Sequence, residues 1–197
     1  MTDMKHLFDL IRAAKGTPLS QADVDAINGV IGSAPGLAGE PAWLIEARKD
    51  MGLREIPGVK HAPRIMKMIA MLGYPFSDDE TPWCGTAMAA WVKQAGLTPP
   101  PMGFRAASWS SWGVACSPQV GAIGVKQRAG GNHVFLIVGE TADRTHFKAL
   151  GANQKNMVCI MDIAKSDTFA VRWPAGVPMG NMPLPKMAAG TVSGNEA

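Results

Sequence analysis

Residues 78–92 read DDETPWCGTAMAAWV, and the fold is decided where the polar half of this stretch meets the apolar half. Asp78, Asp79 and Glu80 make an acidic, solvated turn. From Cys84 onward, Ala87, Met88, Trp91 and Val92 recur at spacings of three and four, the pattern of a helix burying one face. Thr81 is placed to cap that helix and Pro82 suits its first turn. Cys84 is then predicted among the backbone N–H groups that a helix start leaves without intrahelical partners. The positive end of the helix dipole favours a thiolate, the nucleophilic form of cysteine.

Working outward toward the N-terminus, a helix is predicted from Pro41, with Trp43, Leu44, Ala47 and Met51 on one side. The Glu55-Ile56-Pro57-Gly58 turn ends it. Pro63 opens another, carrying Ile65, Ile69 and Leu72 and closed by Gly73, while Gly96 closes the Cys84 helix. Ahead of these, Leu7, Phe8 and Ile11 mark one helix. Ser20, with Asp23 three residues later as a weak capping box, starts a second that carries Val24, Ile27, Val30 and Ile31. This hairpin is too small to be stable alone. Toward the C-terminus, after Pro99-Pro100-Pro101, short apolar runs at 122–125, 133–139, 145–150, 157–163 and 168–173 predict an antiparallel meander. Helices first and strands after is the α+β pattern. The chain therefore divides into a helical hairpin and linker at 1–36, a main domain at 37–176, and a flexible tail at 177–197.

Composition narrows the function. With 47% hydrophobic and 18% charged residues, the 197-residue chain has the make-up of an ordinary soluble globular protein. A net charge of +3 favours approach to an anionic surface, but no basic run alternates with aromatics, so nucleic acid is not expected as a partner. Cys84, Cys116 and Cys159 are odd in number and widely spaced, which predicts neither a zinc site nor a disulfide framework. No metal or other cofactor is expected. No apolar run approaches the ~20 residues of a membrane span. The N-terminus lacks the pattern of a secretory signal.

A cysteine nucleophile needs a base held by a third group. His133 stands at the start of a strand, after the flexible Ala129-Gly130-Gly131-Asn132 turn. The following strand runs into Gly151-Ala152-Asn153-Gln154. If 133–139 and 145–151 form a hairpin, Asn153 returns to the side of His133. Separately each is an ordinary strand-end residue; their order along the chain is the specific signal.

With these residues in place, the stretch from Trp43 to Pro174 resembles the CHAP-type domain of the papain-like cysteine hydrolases, and within it a phage and bacterial subgroup. The resemblance is carried by Ala47-Arg48, Gly52, Glu55-Ile56-Pro57-Gly58 and His61-Ala62-Pro63-Arg64-Ile65. It continues through Asp79-Glu80-Thr81-Pro82-Trp83-Cys84, Ala107-Ser108-Trp109, Trp112-Gly113 and Gly131-Asn132-His133-Val134. It ends with Gly151-Ala152-Asn153-Gln154 and Arg172-Trp173-Pro174. Residues 19–28 are similar to the N-terminal arms of some phage endolysins. The resemblance implies a papain-like fold with helices packed on an antiparallel sheet. It implies Cys84 as nucleophile, His133 as base and then acid, and Asn153 as the group that orients it.

This chain departs from related domains in carrying the small residues Gly151 and Ala152 before Asn153, which leaves Gln154 as a rival orienter. Some related domains bind calcium near the cysteine, but residues 78–80 lack the alternating oxygen-ligand spacing of a calcium loop. Trp83, Asp79, Gln154 and Trp109 are the expected substrate contacts, with core packing the competing role for the tryptophans. Cys116, Cys159 and the methionine-rich runs read as structural. The implied activity is cleavage of an amide in the peptide of bacterial peptidoglycan through a Cys-His-Asn thioester mechanism, by a monomeric endolysin acting as an endopeptidase and releasing phage progeny by host lysis. The enzyme is expected to be made in a host cytoplasm and to act on the wall or periplasm after the membrane is permeabilised. An N-acetylmuramoyl-L-alanine amidase or an amidase toxin is the alternative within the enzymes. A wall-binding or virion structural module is the alternative outside them.

Overall fold

The computed structural model describes residues 15, 16, 20, 23, 39–180 and 183–188, and the chain forms two units, Met1–Gly39 and Glu40–Ala197. In the first unit most of the predicted hairpin lies outside the described residues. The Ser20–Asp23 pair does not. The Ser20 N–H donates to Asp23 Oδ2 at 2.7 Å, and the Asp23 N–H donates to Ser20 Oγ at 3.2 Å, which is the reciprocal capping predicted there. Lys15 also pairs with Asp23 and, with the Ser20 donors, holds its carboxyl well below the usual range.

The second unit is α+β. Its described helices are α1 (Ala42–Lys49), α2 (Pro63–Leu72) and α3 (Cys84–Gln94). Pro63 at the first position of α2 and Gly73 at its end, with φ 67°, match the predicted start and stop. Helix α3 is buried from Cys84 through Val92, on all sides rather than on one face. It packs against α1, α2 and the sheet. Asp50 ties the three helices together. It takes two bonds from the Arg64 guanidinium, at 2.8 and 2.9 Å, and one from Trp91 Nε1 at 2.8 Å.

The strands are β1 (Val114–Ala115), β2 (Ile123–Arg128), β3 (Gly131–Thr141), β4 (His146–Gln154), β5 (Met157–Ala164), β6 (Thr168–Trp173) and β7 (Lys186–Met187). Their order is β1-β6-β2-β3-β4-β5, with β7 parallel to the far end of β3. The predicted meander therefore holds from β2 to β5, but β6 departs from it, pairing with β2 at the opposite side of the path. Only residues 165–167 join β5 to β6. Four residue-to-residue steps of extended chain reach about 14 Å, whereas crossing four strand spacings of a flat sheet takes about 19 Å. The sheet must curl to bring Thr168 to Lys126. Register shifts at Val125/Lys126, Ile137/Gly139 and Gly151/Gln154 supply the bending.

The stretch expected to be a flexible tail contributes β7, and Val177, Met179, Leu184 and Met187 pack on the core. Among the described residues no helix is long and apolar enough to cross a membrane.

Candidate active site

Cys84 lies at the start of α3, as its sequence context predicts, but as the first residue of the helix, which begins two residues later than the predicted Pro82. The residue in the cap position is Trp83, whose side chain makes no capping bond to the helix. Thr81 is engaged instead with Asp78, whose Oδ1 accepts its N–H at 2.6 Å and its hydroxyl at 2.9 Å. The first intrahelical bond runs from the Ala87 N–H to Trp83 O at 2.9 Å, so the N–H groups of Cys84, Gly85 and Thr86 precede the helical ladder. Cys84 itself retains 4% of its surface.

Gly85 is required for this arrangement. A Cβ there would lie 2.3 Å from the carbonyl oxygen of Phe104, a main-chain atom with little freedom to move. Gly85→Ala is expected to cost about 2–3 kcal/mol by overpacking and to displace the start of α3. Urea unfolding of the variant checks this, and unchanged stability would contradict the close approach.

His133 lies on β3, is 1% exposed, and stacks near Phe135 with ring centroids 6.1 Å apart. The side chain on its ring is Gln154, whose Oε1 is 3.2 Å from His133 Nε2. The amide nitrogen of Gln154 donates to the carbonyls of Cys159 at 2.6 Å and Ala149 at 3.3 Å. Both amide hydrogens are thereby spent on main-chain oxygens, which orients Oε1 toward the imidazole as an acceptor. His133 Nε2 must then carry the proton, and Nδ1 is the basic nitrogen.

This corrects the expectation for Asn153. Continuing the Leu136↔Leu150 register would set Asn153 opposite His133, as the hairpin argument assumed. Between Gly151↔Cys159 and Gln154↔Met157, however, β4 advances three residues while β5 advances two. The extra residue is a bulge, with Asn153 at φ 58°, and it reverses which side chain faces the histidine. The turn that follows has positive φ at both Lys155 and Asn156, the twist of a tight hairpin. Gly151 completes the geometry. A Cβ there would lie 2.8 Å from Gln154 Oε1 and 3.0 Å from His133 Nε2, so only glycine leaves room for their bond.

The four expected substrate contacts are all buried. Gln154 is spent on His133, as above. Trp109 Nε1 donates to Gly103 O at 2.8 Å within the core. Trp83 Nε1 donates to Glu55 Oε2 at 3.1 Å. Asp79 accepts the N–H groups of Ile56 and Ala62, both at 2.8 Å, and lies 3.1 Å from His61 Nδ1. Its polar atoms are directed into the protein, where they pin the segment 56–62, and not onto a rim. Burial works against its ionisation, but the donors from Ala62, Ile56 and His61 outweigh it and hold the carboxyl below the usual carboxylate range.

Because the folded value lies below the unfolded one, Asp79 contributes stability that is full above the ordinary carboxylate pKa of about 4. It is lost as pH falls toward the folded value. Asp79→Ala is expected to cost about 2 kcal/mol near neutrality. The gap in melting temperature from wild type should narrow on acidification, and a widening gap would overturn the assignment.

Glu55 joins the site although the sequence alone assigns it no role beyond its motif. Its N–H donates to Asn156 O at 3.2 Å, just beyond Gln154, and its side chain meets the residue preceding Cys84. Burial pushes its carboxyl up; the Trp83 N–H opposes this, and the like charges of Asp79 and Glu80 add to it. Neither Cys116 nor Cys159 is in a disulfide among the described residues, and burial pushes the Cys116 thiol up. Among the described residues no cluster of three His, Cys, Asp or Glu is arranged to hold a metal ion.

The sequence matches no protein-family model and no curated protein. The functional reading therefore rests on the geometry and on the motifs.

Proposed function

We propose that the chain is a papain-like cysteine hydrolase of CHAP type that cleaves an amide bond in the peptide part of bacterial peptidoglycan, as a phage endolysin does. The observation that carries this reading is the bond from His133 Nε2 to Gln154 Oε1, with the amide held from behind by two carbonyls. A buried histidine whose tautomer is set in this way has the properties of a general base.

In the proposed reaction His133 Nδ1 takes the thiol proton of Cys84, and Sγ attacks the carbonyl carbon. The resulting oxyanion is stabilised by N–H groups at the start of α3, that of Cys84 among them. The imidazolium then protonates the leaving amine as the C–N bond breaks, leaving a thioester. Water, deprotonated by His133, attacks the thioester and regenerates the thiol. Gln154 takes the orienting role that the family pattern gives to Asn153.

Mass spectrometry of purified peptidoglycan incubated with the protein tests the reading. Fragments with new amine and carboxyl termini are expected, within the peptide for an endopeptidase or at the sugar–peptide junction for an amidase. Intact peptide with cleaved glycan, or no cleavage at all, would overturn it.

A further inference from the structure

We infer that the Glu55 carboxylate is the recognition group of this site for a primary ammonium on the peptide substrate. The inference rests on the hydrolase reading and adds to it the charge of the group that substrate must present. Two bonds place Glu55. Its main chain is held to the turn after Gln154, and its side chain to Trp83, the residue before Cys84. Its main chain thus meets the turn beyond the residue bonded to His133, and its carboxylate meets the residue beside Cys84.

One carboxylate oxygen, Oε2, is committed to the Trp83 indole. No Lys, Arg or His among the described residues is paired with the group, and the charges acting on it are the like charges of Asp79 and Glu80. A half-buried carboxylate in such a field is stabilised by a cation brought by the ligand. Metal is disfavoured as that cation, since no three-ligand cluster is present among the described residues. Guanidinium is matched by a carboxylate with both oxygens available, whereas one remaining oxygen suits the point charge of an ammonium. Cell-wall peptides carry such an ammonium on their diamino acid.

The test uses a defined stem peptide with a free amine and the same peptide N-acetylated. Glu55→Gln keeps an acceptor for Trp83 while removing the charge. Acetylation is expected to lower the wild-type kcat/KM by about tenfold, mainly through KM. Glu55→Gln should lower it by a similar factor on the free amine and by a several-fold smaller factor on the acetylated peptide. Equal losses on both peptides, or a wild type indifferent to acetylation, would overturn the inference. Calorimetry on the Cys84→Ala protein separates binding from hydrolysis. Tighter binding of the free amine, abolished by adding Glu55→Gln, upholds the ammonium site even if wild type cleaves neither peptide and the hydrolase reading fails. Equal binding of the two peptides overturns it whatever the activity.

Discussion

Replacing Cys84 with alanine should reduce fragment release from purified peptidoglycan by a factor on the order of 10⁴ or more, with the circular dichroism spectrum and melting temperature close to wild type. The two halves of this expectation have separate causes. Activity vanishes because no other side chain can form the thioester; serine at the same place supplies an oxygen that remains protonated at neutral pH, so Cys84→Ser should be nearly as inactive. The fold survives because Cys84 is the first residue of α3, where the substitution leaves the helical backbone intact. Alanine deletes only the sulfur and suits a helix start flanked by Gly85, Ala87, Ala89 and Ala90. A folded Cys84→Ala protein with wild-type lysis would remove the nucleophile from the account.

The second large effect separates Gln154 from Asn153. Gln154→Ala is expected to lower kcat/KM by about 10²-fold or more, because His133 then populates both tautomers and loses its orientation. Gly151→Ala should approach the same loss by another route, since its Cβ would intrude within 3.0 Å of both partners of the bond. The double variant should be little worse than either single one, because both break one interaction. Asn153→Ala should leave the rate within a few-fold of wild type while costing roughly 1 kcal/mol of stability, because alanine tolerates the left-handed backbone at φ 58° less well than asparagine. Steady-state kinetics and thermal melts of the four proteins decide the matter. If Asn153→Ala proved the more damaging to the rate, the orienting role would return to Asn153.

The contrast between these neighbouring residues marks where sequence reasoning stops. The helix that carries Cys84, the proline and glycine that bound α2, and the strand status of His133 follow from local chemistry, and all are legible in the sequence. Gln154 is visible there as a rival because Gly151 and Ala152 are unusual neighbours, but the choice needs the bulge. A one-residue insertion is set by how β4 pairs with β5, and the alternation of side chains within β4 alone does not reveal it. The missing cap has a similar origin. Thr81 has the right identity, yet its hydroxyl is drawn to Asp78, so α3 begins two residues beyond Pro82.

Nonlocal pairing also explains the return of β6 to β2 and the strand at Lys186–Met187, which finds its partner at Glu140–Thr141. Neither segment has a local signal that names its partner. Trp83 and Asp79 are buried, because proximity in sequence to Cys84 does not dictate which way a side chain is directed, and Trp109, further along the chain, is buried as well. Glu55 shows the converse: distant in sequence from Cys84, it is brought to the site by the fold.

The proposed activation of Cys84 by His133 is tested most directly by site-resolved alkylation. Wild type and His133→Ala are treated with iodoacetamide across a pH series, and the extent of reaction at Cys84 is read by peptide mass mapping, apart from Cys116 and Cys159. Half-maximal alkylation of Cys84 below about pH 8, moving up toward the value of an ordinary thiol in His133→Ala, is the expected result. Alkylation of Cys84 only at or above the pH of an ordinary thiol, unchanged by removing His133, would contradict it.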